Sequence, residues 1–235
     1  MSEIKTESKL IAEALATFML TFIGAGTIVT GAVTSAAGAP LLTVAIAHGL
    51  ALSIAVTATM NISGAHINPA VTLGFMATKK IDPKLGGLYM VAQVIGAIAA
   101  GGLLVAVFGD AFSASGGGTP MPNAGLGVTA TEVILLEAVL TFLLVFAIWG
   151  TAVDSRAPSG IAGFGIGLTV AADIMMGGPI TGAAMNPARF LGTAVFTEGA
   201  LQHTMLYILG PAIGAVLGSL VYQRFLLAEE ESDEA

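Results

Sequence analysis

The chain has 235 residues, 55% apolar and only 10% charged, with a mean hydropathy of +0.90. Soluble domains carry about 25% charged residues, so this composition excludes an ordinary soluble enzyme and a disordered chain, and the lack of Cys excludes a disulfide scaffold. Eight Lys and Arg against fifteen Asp and Glu build no basic face for nucleic acid, which leaves a polytopic membrane protein.

The opening stretch, Met1 to Lys9, is polar and contains acids, so it does not read as a cleaved signal peptide. A spanning helix needs about 20 apolar residues. Six stretches qualify: 10–32, 41–62, 85–108, 129–150, 159–178 and 203–227. None alternates as a membrane β-strand does. Gly38-Ala39-Pro40 separates spans one and two, and Lys79 to Pro83 precedes span three. A Gly/Ser/Pro-rich stretch from Gly109 to Gly127 joins the halves, and Asp154 to Pro158 divides spans four and five. Glu229 to Ala235 reads as a solvated acidic tail. Two further apolar stretches, 69–78 and 187–197, are too short to span, and each follows a Pro. Short segments paired between two halves point to broken helices around a midplane site.

With six spans, Lys5, Lys9, Lys79, Lys80, Lys84, Arg156 and Arg224 all fall on one side. The positive-inside rule then places both termini in the cytoplasm. The short polar ends favour a microbial cell membrane over a plant vacuole, so the expectation is a multi-pass protein of the cell membrane.

A shift of 118 residues lays the chain on itself: Gly49-Leu50 on Gly167-Leu168, Ser63-Gly64-Ala65 on Thr181-Gly182-Ala183, and Asn68-Pro69-Ala70 on Asn186-Pro187-Ala188. Gly74 falls on Gly192, Leu88-Tyr89 on Leu206-Tyr207, and Ile95-Gly96-Ala97 on Ile213-Gly214-Ala215. A shift of 124 sets Glu13-Ala14 and Thr17-Phe18 on Glu137-Ala138 and Thr141-Phe142. Three spans per half force the second copy to enter from the opposite face, so the repeats are inverted. The expected organisation is one transmembrane channel domain over 1–235, with repeat one at about 1–118, repeat two at about 119–228 and the tail at 229–235.

Asn is a preferred helix cap and Pro a preferred first helical residue. Asn68-Pro69 and Asn186-Pro187 therefore each start a short helix inside the membrane. Inversion brings the two starts together near the centre, where each helix dipole contributes about half a positive charge. Such a waist suits a neutral polar molecule and repels cations. The segments before each Asn cannot bond within a helix. Carbonyls of Gly64, Ala65, His66, Gly182, Ala183 and Ala184 would form an acceptor ladder along a pore.

These motifs resemble those of the aquaporin (major intrinsic protein) family. Asn61 to Thr72 is similar to the family's first signature, and Gly182 to Arg189 to its second. The resemblance runs over nearly the whole chain. It implies an all-α membrane fold of six transmembrane helices plus two re-entrant half-helices in two inverted repeats, one pore per subunit, and a homotetramer. By itself the spacing of Gly210, Gly214 and Gly218 says only that span six packs closely against a neighbour.

The resemblance implies that Arg189 belongs to a selectivity filter, and counting from the signatures adds His48, Ile174 and Ala183. That set looks most like plant tonoplast-type aquaporins, although the family usually has Asn where Asp173 stands. Ile and Ala are less bulky than an aromatic pair, so a somewhat wider filter is expected. The outcome is a passive channel for water, with ammonia or other small neutral solutes as further permeants and protons and ions excluded. Glycerol facilitation is the alternative. Phe190 and Ala194 stand where facilitators tend to have Asp and a basic residue, whereas Ile208 replaces the Trp usual in water-selective members.

His48 reads as pore-lining, while the His66 ring braces its loop and His203 lies at the outer surface. A pH gate at either of the first two is open to test. Glu13 and Glu137, at equivalent repeat positions, read as acceptors for the N–H groups of the re-entrant loops rather than as a proton relay, and Gln93 as further loop support. Asp173 is expected to hydrogen-bond between helices or to line the outer vestibule. The ten Met and eleven Phe read as lipid-facing and packing residues. An ion-coupled secondary transporter is a competing class, but the chain has few intramembrane acids. No His/Asp/Glu cluster has metal-ligand spacing, so no enzyme, metal or cofactor is expected.

Overall fold

The computed structural model describes residues 4–35 and 37–227; the acidic tail lies outside the described residues. In chain order the helices are α1 (Thr6–Thr34), α2 (Leu41–Ser63), α3 (Pro69–Ala77), α4 (Pro83–Phe108), α5 (Asp110–Ala114), α6 (Ala130–Ile148), α7 (Ala162–Thr181), α8 (Pro187–Ala194) and α9 (Thr204–Phe225). Six of them, α1, α2, α4, α6, α7 and α9, are long and apolar enough to cross a membrane, and the described residues form no strand. The fold is all-helical, with α3 and α8 as the two short re-entrant helices.

Local chemistry sets the boundaries. Asp82 caps α4 by accepting the N–H groups of Lys84 at 2.9 Å and Leu85 at 3.2 Å, with Pro83 in the first turn. Thr129 and Glu132 form a reciprocal capping box on α6. Gly64 (φ +88°) and Gly182 (φ +84°) end α2 and α7 at equivalent repeat positions in the left-handed conformation. Helix α7 starts three residues later than the sequence suggests, and it stops three residues later because Gly177-Gly178-Pro179 lie within its last turns instead of ending it. The end of α6 widens into a π-turn, Trp149–Val153. The segment joining the halves is not bare loop: it holds α5 and two 3-10 turns, Gly116–Gly118 and Ala124–Leu126.

Packing follows the repeat. Helix α1 lies on α4 as α6 lies on α9; α3 packs on α9 as α8 packs on α4; α2 and α7 meet each other. At that central contact a Cβ on Gly49 would stand 2.6 Å from the Gly167 carbonyl, so both positions must be side-chain-free. The Gly210, Gly214 and Gly218 stripe faces α6 of the same subunit: it packs on Ile134, Ala138 and Phe142. Leu15, Leu50, Val91, Leu135, Phe164 and Leu217 lie on the outside, the arrangement of a protein solvated by hydrocarbon rather than water.

On one face Asp154, Arg156 and the end of α9 are clamped together. Arg156 donates Nε to Asp154 Oδ1 at 2.9 Å and Nη2 to the Leu226 carbonyl at 2.6 Å. Tyr222 adds its hydroxyl to Asp154 Oδ2 at 3.1 Å. The Arg156 hydrogen bonds hold the Asp154 carboxyl well below the usual carboxylate range.

Candidate functional site: a pore with a polar neck

The two re-entrant segments meet inside the bundle. Asn68 Oδ1 caps α3 at the Ala70 N–H (2.8 Å), and Asn186 Oδ1 caps α8 at Ala188 (3.0 Å) and Arg189 (3.2 Å). Each side-chain amide then crosses to the other repeat. Asn68 Nδ2 donates to the Met185 carbonyl at 2.8 Å, and Asn186 Nδ2 donates to the Ile67 carbonyl at 3.0 Å. An amide nitrogen carries two hydrogens, so each Asn retains one, and both residues line an internal lumen.

The segments are strained. Ala65, Ile67, Ala183 and Met185 have φ between +45° and +58°, where a non-glycine residue costs about 1–2 kcal/mol. Two buried carboxylates fix that backbone. Glu13 accepts from Ser63 Oγ (2.6 Å), the N–H groups of His66 (2.9 Å) and Ile67 (2.6 Å), and Gln93 Nε2 (2.8 Å). Glu137 accepts from Thr181 Oγ1 (2.7 Å) and the N–H groups of Ala184 (3.0 Å) and Met185 (2.7 Å). Among the described residues, the carbonyls of Gly64, Ala65, His66, Gly182, Ala183 and Ala184 accept no hydrogen bond from protein. They are left as acceptors for whatever occupies the lumen.

The opposite wall is apolar: Leu20, Leu52, Val56, Leu144, Ile148, Ile166 and Val170. His48, Ile174 and Arg189 line both this lumen and a wider vestibule beyond it, so they form the neck between the two; Ala183 stands on the lumen side. The Arg189 guanidinium is buried and has no acidic partner among the described residues. It donates to the Gly118 carbonyl at 2.8 Å and lies 3.3 Å (Nη2) and 3.4 Å (Nε) from His48 Nε2. His48 Nδ1 is 2.8 Å from the Val44 carbonyl, which makes it the protonated nitrogen and leaves Nε2 to accept. Glu198 lines the vestibule and forms no ion pair, the Asp154–Arg156 pair being the one among the described residues.

His66 both braces and lines. Nδ1 lies 3.1 Å from Thr72 Oγ1, the ring packs on Phe75 (centroids 4.2 Å) and Tyr89 (5.3 Å), and the residue borders the lumen. His203 closes a 3-10 turn, Ala200–His203, ahead of α9. Asp173 makes neither of the contacts expected of it: it is buried, lines neither void, and its Oδ2 has no partner among the described residues.

Four supports were missed in the sequence. Tyr89 donates to the Ser63 carbonyl (2.8 Å) and Tyr207 to the Thr181 carbonyl, pinning the ends of α2 and α7. Ser63 and Thr181 each bridge a carboxylate to the next turn. All four are repeat matches, so the signal was their recurrence as polar pairs in an apolar register. The Gly118 carbonyl was missed as well, because three consecutive glycines read as linker.

Comparison with known proteins agrees. The Major intrinsic protein family matches residues 1–222. "Aquaporin TIP4-4" of Zea mays is 41% identical over 224 residues, covering 93% of this chain and 86% of its own length. "Aquaporin AqpM" of Methanothermobacter thermautotrophicus is 38% identical, covering 94% of this chain and 98% of its own. In fold, the chain is similar to the aquaglyceroporin of Plasmodium falciparum, with a TM-score of 0.83 at 23% identity over 94% of this chain and 97% of that one. A membrane-spanning bundle with paired Asn-Pro-Ala helix starts, matched over nearly its full length, belongs to the major intrinsic protein family, the aquaporin channels for water and small solutes.

Proposed function

We propose that the chain is a passive channel for water and for ammonia, closed to protons and ions, with His48, Ile174, Ala183 and Arg189 as its filter. The neck carries the reading: a guanidinium with no acidic partner among the described residues stands with an imidazole acceptor and the apolar Ile174, and Ala183 follows on the lumen side. A cation meets Arg189 and then two helix N-termini, each about half a positive charge. A neutral molecule finds donors at Arg189, Asn68 and Asn186 and acceptors along the free carbonyls, replacing its hydration step by step.

Proton exclusion follows from the two asparagines. Each has one amide hydrogen committed to the opposite repeat and one free. A water accepting both free hydrogens has its lone pairs filled and cannot accept from the next water. The chain of hydrogen bonds that would carry a proton is broken there.

The side bearing the seven Lys and Arg is taken as cytoplasmic, with both termini there and the cell membrane as the location. A homotetramer with one pore per subunit is the assembly that the family resemblance implies.

Stopped-flow shrinkage of liposomes holding the purified protein tests the solute range. Water and ammonia should move well above empty vesicles and glycerol should not. Glycerol flux comparable to water would favour a facilitator and make Ile208 the better guide than the neck. A water-only profile would remove ammonia.

A further inference from the structure

The polar half of the neck rests on α1, a helix that sends no side chain into it. The His48 ring lies against Gly24, which is buried. A Cβ built on Gly24 would overlap Cδ2 and Nε2 of that ring and stand 2.8 Å from Cε1. The next residue, Ala25, is fully buried and backs Gly118: a Cβ on Gly118 would lie 2.9 Å from both the Cα and the carbonyl oxygen of Ala25. Gly118 has φ +63° and supplies the carbonyl that receives Arg189. Two consecutive residues of α1 thus back two of the three groups that the Arg189 guanidinium touches, His48 and Gly118, the third being Thr193 Oγ1 at 3.4 Å on its own helix.

The repeat sets Gly24 against a position that is not glycine. The 124-residue shift puts Ile148 on Gly24, and the 118-residue shift puts Ile166 on His48. Ile148 and Ile166 both line the lumen at the other end. Where the His48 position is isoleucine, the Gly24 position holds a full side chain; where it is histidine, the position has none.

We propose that Gly24, with Ala25 beside it, is a specificity-determining positioning residue: it seats the His48 ring back against α1, keeping Nε2 on Arg189 and the neck open. This rests on the pore reading above. With Nδ1 anchored to Val44 on its own helix, the ring cannot slide along α2. A methyl group on Gly24 drives it off α1 into the lumen.

Water permeability of wild type, Gly24→Ala, His48→Ala and the double variant, in the same liposomes and per inserted protein, tests the proposal. Gly24→Ala should lower flux about tenfold, a barrier change that one displaced side chain supplies. In the His48→Ala background the same substitution should change flux by less than about twofold, the limit for uncoupled sites. No loss in Gly24→Ala, or an equal loss in both backgrounds, would overturn the proposal. Should Gly24→Ala fail to reach the membrane, recovery of insertion by adding His48→Ala supports the proposal, and failure of both variants refutes it. A wild type that conducts no better than empty vesicles removes the pore reading instead, an outcome distinct from the others.

Discussion

Glu13 and Asp173 are both carboxyls buried between helices, yet their surroundings give substitution opposite consequences. Glu13 collects four hydrogen bonds, two of them from backbone that has no other partner. A glutamine there turns one oxygen into a donor facing the Ile67 N–H and the Gln93 amide. Glu13→Gln should therefore destabilise by about 3 kcal/mol, since bonds to a charged group are each worth about 1.5–3 kcal/mol. Asp173 has a buried oxygen with no partner, and an unpaired buried carboxylate is a cost in itself. Asp173→Asn should leave the thermal midpoint in detergent unchanged or raise it. A fall in midpoint for Asp173→Asn matching that of Glu13→Gln would contradict this assignment. The contrast also marks what sequence can carry. Glu13 and Glu137 are legible because they recur at one repeat register beside loops that need acceptors. Asp173 has no repeat counterpart, and its isolation depends on which side chains of neighbouring helices face it, which no spacing reports.

Among the elements, the starts of the two re-entrant helices were legible and the joining segment was not. Asn-Pro dictates a capped start wherever it stands, so α3 and α8 begin at the residues expected. Glycine-rich sequence permits many paths, and the three successive left-handed glycines at 116–118 take the one that brings a carbonyl to Arg189. The clamp between Asp154, Arg156 and the end of α9 makes a pH prediction. The folded carboxyl of Asp154 is depressed, so its contribution is fully present above the unfolded value of about 3.9 and is lost as pH falls through the lower folded value. At neutral pH, Asp154→Asn should speed hydrogen exchange at the end of α9 relative to wild type. The two should converge only in acid below the ordinary carboxylate range. Equal exchange at pH 7 would show that the clamp does not hold that end.

For the whole molecule, inversion of two similar halves explains why one bundle has a symmetric waist but an asymmetric neck. The Asn pair, the carboxylate pair and the Tyr pair obey the repeat. His48 and Arg189 have no counterparts, since Ile166 and Val71 stand at the related positions. On the proposed reading, selection among neutral solutes sits at the neck end of a pore whose walls are built twice, apart from the proton barrier at the waist, and water has to pass that neck. Osmotic shrinkage of liposomes carrying Ile174→Trp against wild type tests this most directly. An indole at the neck, on a regular helix and beside open lumen, should bring water flux down to that of empty vesicles while the protein remains folded and inserted. Undiminished flux would place the path of water outside the neck and contradict the account.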